Sequence, residues 1–329
     1  MSRFVKFRQC LVAACLVAVV SVAAFGAVEV DPELPAYQPV EGVTGSIKTV
    51  GSDTMNNLMT SWGEAFAQYY PSVVFEIEGK GSNTAPAAMI AGVATFGPMS
   101  RTLKDEEQNS FEHAFGYKAT QLGVAIDMLA VFVNKDNPIE GLTLPQLDAI
   151  FSSTRKSGYK ENITTWGQLG LTGLWADTPI SLYGRNSASG TYLFFLEHVL
   201  NKGDFKVQVK EQPGSSAVVQ SIANDRSGIG YSGIGYETAN VRAVPLAAGP
   251  GEKYIPPTAE FAYTGEYPLA RFLLLTVNYK PGGKLDPLRR EFVKFILSKQ
   301  GQEIVAREGY FPVTEAIARQ MLDKVGISE

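Results

Sequence analysis

Ile47-Lys48-Thr49-Val50-Gly51-Ser52-Asp53-Thr54-Met55 runs from a short apolar strand into a polar turn rich in helix N-cap residues. Beyond it Met55, Leu58, Met59, Trp62, Phe66 and Tyr69 recur at helical spacing until Pro71 stops the run. Val73 to Ile77 then reads as a second strand. Gly79-Lys80-Gly81-Ser82-Asn83-Thr84 opens a second, Ala-rich helix to Ala91, and Ala94 to Met99 continues the alternation. A βαβαβ start of this kind predicts an α/β fold with parallel strands, whose strand-to-helix turns gather at one edge of the sheet.

The pattern persists outward. Val124 to Val133 is an apolar strand run long enough to pass from one domain to another. Leu144 to Phe151 reads as a helix. The strand Ile180 to Tyr183 leads through Gly184-Arg185-Asn186-Ser187-Ala188-Ser189-Gly190-Thr191 into a helix over Tyr192–Leu200. A helix at Ala217 to Ala223, a strand at Gly228 to Tyr231 and a strong strand at Arg271–Asn278 follow, then helices over Leu285–Lys299 and Thr314–Lys324. No internal repeat or low-complexity tract is evident. With 329 residues, 45% apolar and 19% charged, the chain can bury a large core in two domains.

The first 26 residues read as a leader rather than as part of this fold. Arg3, Lys6 and Arg8 precede the uncharged run Cys10 to Phe25, with small residues near Gly26 for a signal peptidase. About 16 apolar residues is short for a membrane span. Val12-Ala13-Ala14-Cys15 offers an alternative, lipoprotein-type cleavage. Both cysteines lie in the leader, so cleavage leaves a cysteine-free protein suited to an oxidising compartment. Residues 27–44, rich in Pro and acids, read as an N-terminal tether. The expected location is periplasmic or secreted.

Composition excludes several classes. The net charge is −4 with no basic block, which argues against nucleic acid. Two Cys and two His give no metal-ligand framework, so no metal or cofactor is expected. Gly228-Ile229-Gly230-Tyr231-Ser232-Gly233 matches a dinucleotide fingerprint in letters only, because its glycines sit inside a strand pattern. His113 and His198 have no nucleophile motif beside them. No enzyme constellation is present.

One device occurs three times: a Gly/Ser/Thr turn opening a helix, at Gly51-Ser52-Asp53-Thr54, Gly81-Ser82-Asn83-Thr84 and Ser189-Gly190-Thr191. Unpartnered N–H groups and the helix dipole make such termini attractive to anions. Arg185, four residues before Ser189, adds a fork of donors suited to tetrahedral oxyanions. Any one turn alone reads first as an ordinary N-cap; the three together, with Arg185, favour an anion site.

Arg185-x-x-x-Ser189-Gly190-Thr191 resembles the anion motif of the periplasmic phosphate-binding proteins that serve phosphate ABC importers. Gly51-Ser52-Asp53-Thr54-Met55 and Gly79-x-Gly81-Ser82 are similar to that family's other two phosphate loops, and the likeness extends over nearly all of the chain after the leader. The resemblance implies a two-lobe clamp, each lobe a sheet flanked by helices, with two hinge crossings near Ile126 and Tyr267. Lobe I would comprise 45–126 and 268–329, and lobe II 127–267. It also implies a non-enzymatic, monomeric receptor that binds inorganic phosphate and delivers it to a membrane permease. The implied ligand residues are Thr54, the backbone at Met55 and Ser82 from the first lobe, with Arg185, Ser189, Gly190 and Thr191 from the second; Ser52 and Asp53, in the first turn, are further candidates.

Two positions depart from the family pattern. Ser100-Arg101 stands where family members carry an Asp that accepts the proton of hydrogen phosphate, and Ser187 stands where they carry an acid after the arginine. Ser100 and Arg101 therefore enter as ligand candidates, and Asp53 is the nearest candidate for either missing carboxylate. The alternatives are a receptor for another tetrahedral anion, such as sulfate or molybdate, or a phosphate-binding sensor or scaffold without a transport role.

Overall fold

The structure is a computed structural model that describes residues 28–327; the leader lies outside them. In chain order the elements are β1 (Gly45–Val50), α1 (Asn56–Tyr69), β2 (Val73–Glu78), α2 (Ala85–Ile90), β3 (Phe96–Met99), α3 (Asp105–Phe115) and β4 (Thr120–Asn134). Next come β5 (Leu142–Thr143), α4 (Leu144–Phe151), β6 (Ser181–Arg185), α5 (Gly190–His198), β7 (Lys210–Gln212), α6 (Ser215–Ala223), β8 (Gly228–Gly233), β9 (Val241–Ala243) and β10 (Leu246–Ala247). The chain ends with α7 (Ala259–Thr264), β11 (Ala270–Val277), α8 (Pro287–Ile296), α9 (Lys299–Arg307) and α10 (Glu315–Asp323).

The main sheet runs β2-β1-β3-β11-β4-β8-β6-β7, with β9 also on β4. Strand β1 pairs in parallel with β2 and β3, and β6 pairs in parallel with β7 and β8. Antiparallel β11 and β4 lie between these groups. The two-lobe α/β architecture follows from one strand. The first part of β4 pairs with β11, Thr120 through Met128, and its second part pairs with β8, Leu129 through Val133. Each lobe thus builds its sheet on one end of β4. The sequence from Val124 to Val133, apolar except for Asp127, permits this, because a strand covered on both faces needs no polar alternation, and all of these residues are buried. Phe311 brackets the crossing by exchanging backbone hydrogen bonds with Ile126 at 2.8 and 2.9 Å, and the Tyr267 hydroxyl donates to the Leu129 carbonyl at 3.1 Å.

Three local expectations need correction. Residues 28–44 are no free tether: Leu34, Tyr37 and Val43 are buried, and Tyr37 Oη lies 2.7 Å from Tyr70 Oη and donates to Glu291 Oε2 at 3.0 Å. Three well-spaced apolar side chains fix a segment whose Pro and acid content dominates its composition. The helix expected over Leu285–Lys299 ends at Ile296, because Ser298 starts a new one by capping Gly301 N. Helix α9 itself was not expected. The glycines of the 228–233 stretch do lie inside β8, paired to β4 and β6, so no nucleotide turn exists there.

Candidate anion site

The three Gly/Ser/Thr turns converge where the lobes meet. In the first lobe, β1 ends at Val50 and a single tight turn, Asp53–Met55, precedes α1. Two tyrosines hold this turn: Tyr310 Oη donates to the Thr54 carbonyl at 2.7 Å and Tyr236 Oη to the Asp53 carbonyl at 2.9 Å. Beside it, Ser82 Oγ accepts from Ser100 N at 3.0 Å and lies 3.2 Å from Ser100 Oγ. From the second lobe, β6 delivers Arg185, and Ser189 caps α5 by accepting from the backbone N–H of Thr191 and Tyr192 at 3.1 and 3.3 Å. Thr54 Oγ1 and Thr191 Oγ1 meet across the lobes at 2.9 Å. Ser52, Thr54, Met55, Ser82, Ser100, Arg185, Ser189 and Thr191 are all buried.

Only a residue without a β-carbon fits at two contact points between the lobes. A β-carbon built on Gly81, whose φ is +110°, would lie 2.4 Å from the Ala188 carbonyl oxygen. One built on Gly190 would lie 2.3 Å from Ser82 Oγ and 2.7 Å from Ser100 Oγ. Gly190→Ala should therefore weaken anion binding by about 1–3 kcal/mol, the usual scale for overpacking, while the unliganded protein stays folded. Isothermal titration with phosphate checks this. Unchanged affinity would mean that the α5 terminus does not close on the serine pair when an anion is held.

Arg185 is the electrostatic centre of the site. Its side chain is 1% exposed; Nη1 lies 3.2 Å from Asp53 Oδ2 and donates to Ser215 Oγ at 2.7 Å. Nη2 makes one long bond, 3.4 Å to the Pro213 carbonyl, and buried Nε has no partner among the described residues. One edge of the guanidinium is thus anchored and the Nε/Nη2 edge is open, the geometry that grips two oxygens of an oxyanion. Burial pushes Arg185 below the ordinary arginine range, against the opposing pull of Asp53. It remains a cation.

Asp53 Oδ2 also accepts from Ser215 N at 2.7 Å, so of the two open roles this carboxylate takes that of the arginine's partner. The expectation for Arg101 needs correction. Its five N–H donors are all committed, to Asn83 Oδ1, the Thr102 carbonyl and both oxygens of Glu107, and none is left for an anion. Arg101 instead orients Asn83, whose backbone and side-chain N–H groups reach across to the carbonyls of Ala188 and Ser187 at 3.1 and 2.8 Å.

The sequence reading missed a second buried ion pair beside these hydroxyls. Arg271 on β11 donates through Nε and Nη2 to Asp127 Oδ2 on β4, at 2.9 and 2.8 Å. It also donates through Nη1 to the Ser100 carbonyl and through Nη2 to Thr191 Oγ1, at 3.1 and 2.9 Å. The signal was Asp127 itself, a lone charge inside the apolar run Val124–Val133. A charge there must be met by an opposite one. Neither histidine joins the site: His113 and His198 are exposed. No group of three or more His, Cys, Asp or Glu that could hold a metal occurs among the described residues.

A family model described as a PBP superfamily domain matches residues 37–300. The phosphate-binding protein PstS of Pseudomonas aeruginosa is 49% identical over 322 residues, covering 98% of this chain and all of that protein. PstS of Staphylococcus haemolyticus is 31% identical over 262 residues, 78% of each chain. Among solved structures, a candidate phosphate ABC transporter substrate-binding protein from Clostridium perfringens, with bound phosphate, superposes with a TM-score of 0.69. It is 28% identical and covers 82% of this chain and all of its own.

Proposed function

The chain belongs to the PBP superfamily and, within it, to the PstS phosphate-binding proteins, and from this premise we propose that it captures inorganic phosphate between its lobes for delivery to an ABC importer. It is a binding protein rather than an enzyme. The observation that carries this reading at the atomic level is the open Nε/Nη2 edge of a buried, anchored arginine beside a capped helix N-terminus. A buried oxyanion needs its charge and its lone pairs met. Arg185 meets the charge. The hydroxyls of Ser52, Thr54, Ser82, Ser100, Ser189 and Thr191, with the backbone at Met55 and Gly190, supply further donors. Asp53 holds the arginine rather than the ligand.

The lobes are 45–126 with 268–329, and 127–267. Release to a permease requires that they part, and the hinges lie near Ile126 and Tyr267. The protein works as a monomer outside the cytoplasmic membrane, a location that rests on the leader in the sequence; among the described residues no helix is long and apolar enough to cross a membrane. A receptor for sulfate or molybdate is the second reading, favoured by Ser100 in place of a proton-accepting carboxylate.

Mass spectrometry of the anion retained after gentle purification, followed by titration of the stripped protein, tests the assignment. Phosphate bound in preference to sulfate supports it; sulfate or molybdate bound more tightly overturns it in favour of the second reading. Small-angle scattering should show a smaller radius of gyration with phosphate than without, since the cross-lobe contacts form only on closure. An unchanged radius in protein that binds phosphate would indicate a rigid, preformed pocket.

A further inference from the structure

We propose that Arg271 is a second arginine for the same anion, held in place by Asp127, and that it makes the site select the doubly charged form of phosphate. The inference rests on the phosphate reading above and adds the charge state of the ligand. Arg271 and Asp127 are a cross-strand pair on β11 and β4, the two strands between the lobes, with side chains 4% and 0% exposed. Asp127 is fixed from three directions: Oδ2 accepts both Arg271 bonds, and Oδ1 accepts from Ile234 N at 3.1 Å. The pair is therefore rigid, and the guanidinium carries its remaining donors toward both lobes.

What those donors touch is the anion cluster itself. Nη2 ends on Thr191 Oγ1, which pairs with Thr54 Oγ1, and Nη1 spends one of its two N–H groups on the Ser100 carbonyl. One N–H of Nη1 is uncommitted among the described residues, and the bond to Thr191 is one that an anion oxygen could replace. Two buried guanidiniums thus stand at the junction of the three turns, each with a single carboxylate behind it: Asp53 for Arg185 and Asp127 for Arg271. They are close enough that Arg271 adds to the burial that lowers the ionisation range of Arg185. Two like charges drawn together out of water repel unless an anion lies between them, and a dianion relieves that repulsion more than a monoanion does. The hydroxyls of Ser82 and Ser100 can each donate or accept, so they satisfy the remaining ligand proton without a carboxylate.

The test is phosphate titration calorimetry at a series of pH values spanning the second ionisation of phosphate, with circular dichroism as the check on folding. Wild-type affinity for total phosphate should rise about tenfold per pH unit on the acid side of that ionisation and level off beyond it, as mass action requires of a dianion-selective site. The double variant Arg271→Gln/Asp127→Asn, which removes both charges together, should lose about 100-fold in affinity on the alkaline side and show a much flatter profile. Arg271→Lys keeps the charge but not the fork, so it should lose about tenfold while keeping the wild-type slope.

A flat wild-type profile overturns the proposal without any variant. So does a double variant that binds as wild type does, or one whose losses are equal at every pH, which would leave the pair a purely structural hinge clamp. Should the double variant fail to fold, the wild-type profile and Arg271→Lys decide, and wild-type affinity in the lysine variant overturns the proposal. Failure of wild-type protein to bind phosphate at any pH would instead refute the phosphate reading on which the inference rests.

Discussion

Arg185→Ala weakens phosphate binding by about 2–5 kcal/mol, the usual cost of truncating one member of a buried, hydrogen-bonded charge pair. In affinity this is a loss of roughly 30- to 5,000-fold, which titration calorimetry with phosphate resolves readily. The loss has two sources. The ligand forfeits the Nε/Nη2 edge, and Asp53 faces the anion without the cation that neutralised it. The fold survives, because Asp53 keeps its bond from Ser215 N and its side chain is 23% exposed, so water can meet the remaining oxygen. Arg185→Lys keeps the charge but cannot hold Asp53 and Ser215 on one edge and an anion on the other, and it should recover only part of the loss. An alanine variant that binds phosphate as wild type does would remove Arg185 from the site.

Trp62→Ala costs about 3–5 kcal/mol of folding stability, measured as a shift in urea unfolding at constant slope. Trp62 is fully buried on the inner face of α1, and its indole Nε1 donates to the Gly301 carbonyl in α9 at 2.8 Å. Truncation leaves a large void between the first helix after the anion turn and the C-terminal helices, along with an unpaired carbonyl. Trp62→Phe separates these terms: it keeps most of the volume and should cost nearer 1 kcal/mol, the worth of the hydrogen bond. Equal losses for the two would assign the effect to the hydrogen bond alone. A loss well below 1 kcal/mol for the alanine variant would mean that α9 does not hold α1.

The elements that the sequence made legible are those whose signal is local. The spacing from Met55 to Tyr69 marks α1, the apolar run from Val124 to Val133 marks the strand that both lobes share, and the three Gly/Ser/Thr turns mark the places where strands hand over to helices. Helix α9 and the packed segment 28–44 were illegible for the opposite reason. Ser298 breaks the periodicity with a single cap, and Leu34, Tyr37 and Val43 are too sparse to form a pattern until Tyr70, Glu291 and the C-terminal helices supply their partners.

By itself the sequence determined the α/β class and the places of the three Gly/Ser/Thr turns and of Arg185 between strand and helix, because strand alternation and helix spacing depend on residues a few positions apart. Tertiary structure alone decided which charges meet. Asp53 lies 132 positions before Arg185, and Asp127 lies 144 before Arg271; nothing local pairs them. Arg101, next to Ser100 in sequence, turns away to Asn83 and Glu107, while Arg271 comes in from the far end of the chain to take the place beside the hydroxyls. Buried charges are matched by geometry in space, and β4, which carries both lobes on one strand, brings those distant residues within hydrogen-bond reach.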